Sequence, residues 1–120
     1  MEDSILKSVK KTLGLADDYT AFDEDVIMHI NSVFGNLCQL GIGPEAGFEI
    51  EDDTALWSTY LAGNLQFNGV KTYMQLRVRI LFDPPSTSFH LAALEKQALE
   101  FEWRLSEIRE FTDWTEPVYD

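Results

Sequence analysis

The sequence predicts an all-α protein: a compact bundle of four to five helices with a long glycine-rich loop and an extended C-terminal arm. Three observations carry this. Apolar residues recur at helical spacing in four separate stretches. Apart from Gly35, glycines and prolines fall between those stretches rather than inside them. No stretch combines a strict two-residue alternation with flanking turn signals over its whole length. The 120 residues fit one domain, read as a helical body over 1–110 followed by an arm over 111–120.

The first helix begins at Ser4, whose hydroxyl can cap it. Ile5, Leu6, Val9 and Leu13 then share a face, Lys7, Lys10 and Lys11 take the other, and Gly14 ends the run. The second is the clearest. In "DDYTAFDEDVIMHINSVFGNLCQLG", Phe22, Val26, Ile30, Val33, Leu37 and Leu40 fall on one arc at about 100° per residue. Ile27, Phe34 and Cys38 flank that arc, so Cys38 reads as core. Asp23, Glu24 and Asp25 crowd the first turn, where the helix dipole favours acids. Gly41 stops the helix and opens the loop "GIGPEAGFEIEDD".

A short helix in "DDTALWSTYLAG" follows, with Asp53 or Thr54 as the expected cap and Gly63 as the stop. "FNGVKTYMQLRVRILFD" admits a strand over "MQLRVRILF", but the apolar pattern extends back through Val70, Tyr73 and Met74 and favours a helix. Arg77 interrupts its apolar arc. An unpaired buried guanidinium is very costly, so Arg77 reaches water, meets a carboxylate of its own chain, or faces another chain. Arg79 projects to the polar side with Thr72 and Gln75. Asp83-Pro84-Pro85 forces a corner, since a residue before proline is driven from helical geometry.

The last helix, "STSFHLAALEKQALEFEWRLSEIRE", is capped by Ser86 or Ser88. Leu91, Leu94, Ala98, Phe101, Leu105 and Ile108 form its core-facing seam. Ala92, Leu99 and Trp103 lie on the opposite side. Either the tail or the Trp57 helix covers them, or they form a contact between subunits. The tail carries Phe111, Trp114 and Tyr119. It either packs back on the domain or is an arm that orders on a partner.

Composition narrows the function. Nine Lys and Arg stand against 21 Asp and Glu, for a formal net charge of −12. That argues against a nucleic-acid-binding surface, which needs cations to displace counterions, and against docking on anionic lipid. It suits a basic partner, or a wall that DNA slides past. No apolar run reaches the roughly 20 residues of a membrane span. The single cysteine permits no intramolecular disulfide and makes a cysteine-based metal site improbable. Asp23, Asp25 and His29 imitate part of a metal site, but acids at a helix start need no function. His90 reads as a surface residue, and Ser86, Thr87 and Ser88 as caps. No phosphate-cradling, zinc or nucleophile motif is present, so the expectation is a protein without catalysis or cofactor.

The segments "FDEDVIMHINSVFGNLCQLGIGPEAGFEI", a Trp-containing short helix, "VKTYMQLRVRILFDPPSTSF" and "EFEWRL", in that order, resemble the small head–tail connector (adaptor) proteins of long-tailed bacteriophages. The resemblance runs from about Ile5 to Leu105. It implies a helical, non-enzymatic virion protein in the neck between capsid and tail, made in the host cytoplasm. Such proteins form a homo-oligomeric ring, typically of twelve copies, under the portal protein. They extend the DNA channel without binding DNA specifically, and they carry the stopper or tail-completion protein. Subunits of this kind can be monomers before assembly. The family carries no catalytic residues over. The positions offered for portal or subunit contact are Arg77, Arg79, Asp83, Leu99, Trp103, Phe111, Trp114 and Tyr119, with the Gly41–Gly47 loop beside them. The alternative for so acidic a chain is a monomeric inhibitor or DNA mimic that blocks a basic partner.

Overall fold

In the computed structural model, which describes residues 3–115, five α-helices follow one another. They are α1 (Ile5–Thr12), α2 (Asp23–Gln39), α3 (Trp57–Leu61), α4 (Val70–Phe82) and α5 (Ser88–Phe111), with a single 3-10 turn at Leu65–Phe67 before α4. The bundle is built on α4, which packs against α5 on one side and α2 on the other, with α1 lying across α2 and α4. The stretch that could have been read as a strand is helical throughout, because Val70, Tyr73, Met74 and Val78 are all buried on one arc. The core continues through Val26, Ile30, Val33, Phe34 and Leu37 of α2. From α5 only Ala98 and Leu105 are fully buried.

α1 starts where expected: the Ser4 hydroxyl accepts the Lys7 amide at 3.3 Å. Its buried face holds Ile5, Leu6 and Val9 but also Lys10, which is 1% exposed. Lys10 therefore does not belong to the outer basic face. Its ammonium donates to the carbonyls of Asp17 (3.2 Å) and Tyr19 (2.8 Å) and pairs with the Asp23 carboxylate at 2.8 Å. Two carbonyl acceptors and one close carboxylate surround the ammonium, which is what makes its burial tolerable. The clasp fastens the connection between α1 and α2 onto both helices.

Two residues of the expected α2 arc lie outside the core. Phe22 is the N-cap residue and stacks edge-on against Phe82, with ring centroids 5.5 Å apart, at the surface. Cys38 is exposed. It sits about 100° round the helix from the buried Leu37, and the buried arc closes at Phe34.

The long loop after α2 is held by a side-chain amide. Asn31 donates to the Ile50 carbonyl at 3.1 Å and accepts the Ile50 amide at 2.8 Å, as a neighbouring strand would. Gly43 has φ +96°, and a Cβ there would lie 2.9 Å from the Tyr60 hydroxyl, so only glycine fits.

The cap of α3 comes from far along the chain. Neither Asp53 nor Thr54 supplies it. The Asp3 carboxylate accepts the Ser58 amide (3.3 Å) and hydroxyl (2.6 Å), and the Asp3 carbonyl accepts the Trp57 amide at 2.8 Å. Asp52 instead accepts from Thr54 within the preceding turn. α3 ends at Ala62 in the left-handed region (φ 48°), followed by Gly63. On α5 the cap is Thr87, between the two serines expected: its hydroxyl accepts the His90 amide at 3.3 Å.

Candidate interaction surfaces

α5 is the longest helix at 24 residues, and it presents two unlike sides. The inner side rests on the bundle through Ala98 and Leu105, with Leu91, Leu94, Phe101 and Ile108 partly buried. The outer side leaves Leu99 60% exposed and Trp103 64% exposed. Neither α3 nor the described part of the tail covers them. A large aromatic in water gains little for the fold, so the single chain leaves this second stripe without a packing role. Near it, Arg104 pairs with Glu100 at 2.6 Å and lies 5.6 Å from the Phe101 ring centroid.

Arg77 is partly buried on α4, and among the described residues it has no ion pair. Its Nε is enclosed without an acceptor. The Tyr73 hydroxyl, one turn earlier, is likewise buried and unpartnered. Burial pushes the Tyr73 hydroxyl above the ordinary tyrosine range, the Glu102 carboxylate adds to the rise, and Arg77 opposes it. Arg79 is exposed, and its Nε reaches the Asp83 carbonyl at 3.4 Å. Asp83 is the exposed C-cap residue of α4 and forms the corner before Pro84.

The C-terminal residues divide. Phe111, the last residue of α5, is 80% exposed. Trp114 packs back on the domain, its ring centroid 5.3 Å from that of Tyr60 and 5.3 Å from that of Phe67. There it joins a cluster of Phe34, Phe48, Trp57, Tyr60 and Phe67. A second amide holds the segment down: Asn64 donates to the Thr115 carbonyl (3.0 Å) and accepts the Thr115 amide (2.9 Å). The chain through Thr115 is thus tied to the helical body, whereas the expected boundary put everything after residue 110 in an arm. Tyr119 lies outside the described residues. The Gly41–Gly47 loop meets α5 where Arg109 donates from Nε to the Gly41 carbonyl at 2.7 Å.

The metal-like trio does not converge. Asp23 is held by Lys10, and His29 lies edge-on to Phe82 with centroids 6.3 Å apart. Among the described residues no three His, Cys, Asp or Glu side chains come together as a metal site, and no helix is long and apolar enough to cross a membrane. A cleft of about 690 Å³ between α2 and the loop is lined by Asn31, Phe34, Cys38 and Phe48 among others.

The molecule is thus a small helical subunit whose unusual features lie on outward faces. The family model described as phage connector protein matches residues 5–112, most of the chain, and the chain belongs to that family. No curated protein and no solved structure matches it. Its role is that of a phage head–tail connector, a structural virion component working among other head and tail proteins.

Proposed function

We propose that this connector forms a homo-oligomeric ring beneath the portal protein, lengthens the DNA channel and carries the stopper or tail-completion protein. The observation that supports it best is the outer stripe of α5. A ring of identical chains uses two different faces per subunit, one for each neighbour. Leu99 and Trp103 supply an apolar face that the fold of the single chain leaves open. The exposed Arg79, Asp83 and Phe111, and the partly buried Arg77, are the next candidates for neighbour or portal contact. The acidic balance of the chain suits a channel that repels phosphate and lets DNA move.

Trp103→Ala tests this. The ring faces water in the free subunit, so the substitution changes unfolding free energy by less than about 0.5 kcal/mol. Buried against a neighbour, the same ring anchors the contact, and its loss weakens assembly by roughly tenfold or more. Urea unfolding and incorporation into purified necks measure the two effects. Incorporation at the wild-type level would remove α5 from the ring.

A further inference from the structure

Two helices, α1 and α4, carry basic residues and no Asp or Glu. On α1, Lys10 pairs with Asp23 and Lys7 with Asp53 at 3.8 Å, while the exposed Lys11 has no ion pair among the described residues. On α4 none of the three basic residues has an ion pair among the described residues. Lys71, Gln75 and Arg79 follow at every fourth residue, starting partly buried at the edge of the core-facing arc and ending exposed at Arg79. They make a row about 12 Å long that winds about 80° round the helix. Among the described residues neither Lys71 nor Arg79 forms an ion pair, in a chain with more than twice as many acids as bases.

The outer side of α5 carries the complementary pattern. Glu100 and Glu107 lie one turn on either side of Trp103, about 10.5 Å apart along the axis. Glu107 has no ion pair among the described residues, and Glu100 has only an exposed i,i+4 contact with Arg104, a type of pair worth a few tenths of a kcal/mol. α5 turns this stripe away from the body it packs on. One chain therefore cannot bring its own two lines together, but two copies can.

We propose that the Lys71–Gln75–Arg79 line of one copy is the docking surface for the Glu100–Trp103–Glu107 line of the next. This rests on the ring reading and names its two mating faces. The cations bracket Gln75 as the carboxylates bracket Trp103, so the ring lies over the middle of the basic line, within reach of the Arg79 guanidinium. The contact is head-to-tail: each copy offers one line to each neighbour.

Sedimentation equilibrium of four chains tests the pairing: wild type, K71E/R79E, E100K/E107K and all four substitutions combined. Arg79 and Glu100 are exposed and Lys71 and Glu107 only partly buried, so the four chains should all remain folded, and thermal unfolding serves as the control. Each charge reversal alone is expected to weaken self-association by roughly tenfold, and the combination to restore it. The E100K/E107K chain is decisive. It is less acidic than the wild type, so general repulsion alone would make it associate better, whereas the proposal makes it associate worse. Association that survives K71E/R79E unchanged, or that the combined chain fails to regain, overturns this pairing and leaves a ring built on other faces. If the free wild type is monomeric at low salt up to about 1 mM, the same four chains are compared by incorporation into purified necks with the same expected order, and a wild-type chain that neither self-associates nor enters necks overturns the ring reading with it.

Discussion

Replacing Lys10 with methionine is expected to destabilise the protein by about 3 kcal/mol. The side chain fits the same space without its charge, so the loss reports the clasp rather than a cavity. What remains is the Asp23 carboxylate without its cation and the carbonyls of Asp17 and Tyr19 without their donor. The figure belongs at the lower end of the range for a broken buried pair, because Asp23 keeps 26% of its side chain in water. Urea unfolding followed by helical circular dichroism gives the number. Asp23→Asn in the same background completes a cycle, and the two changes are expected to be strongly non-additive. A loss below about 1 kcal/mol would mean that the ammonium is held no better than a surface lysine.

The second large effect concerns the segment after α5. Ending the chain at Phe111 removes the Trp114 ring from Tyr60 and Phe67 and strips Asn64 of both its bonds to Thr115. Asn64 is 3% exposed, so its amide is left with one partner, the Leu61 carbonyl, in a site where water enters poorly. Truncating a packed tryptophan costs about 3–5 kcal/mol. The partly buried Trp114 falls near 3, and the midpoint of thermal unfolding should drop by at least about 10 °C. Trp114→Ala alone should reproduce most of that drop, and Phe111→Ala almost none of it. A truncated chain that melts like the full one would return Trp114 to the free arm its surrounding sequence suggests.

Most of the helical layout could be read from periodicity alone. α1, α2, α4 and α5 each bury residues in helical register, and the first three stop at a glycine or at the Asp83-Pro84-Pro85 corner. Even the ambiguous stretch around Arg77 resolved once Val70, Tyr73 and Met74 were counted. The outer stripe of α5 was legible for the same reason, since Trp103 falls nearly opposite Ala98 and Leu105 on a helical wheel and Leu99 lies one turn before it.

What escaped was every device that joins distant residues. An aspartate at position 3 gives no sign that it caps a helix starting at 57. Asn31 and Asn64 look like ordinary polar residues, and only the tertiary fold aims their amides at the backbone of Ile50 and Thr115. Lys10 was assigned to the outer face because a charge in an amphipathic pattern is scored as polar, though its ammonium finds two carbonyls and a carboxylate inside. Cys38 erred the other way: a residue at the edge of an apolar arc is decided by what packs beside it. Trp114 belongs with these, because its aromatic pocket is assembled from α3 and the turn before α4.

The anchoring of α3 bears on the order in which the chain folds. Asp3 holds one end of this five-residue helix at Ser58, and Thr115 is fastened just past its other end at Asn64. Nearly the whole described chain separates those two anchors, while a helix this short has almost no stability of its own. Contacts that close such long loops form late, because their entropy cost precedes their gain. α3 is therefore a keystone set last, after α2, α4 and α5 have condensed. Substitutions at Ser58 and Asn64 should speed unfolding and leave the folding rate nearly unchanged, with φ-values below about 0.3. Values near unity at either position would put the keystone in the nucleus instead.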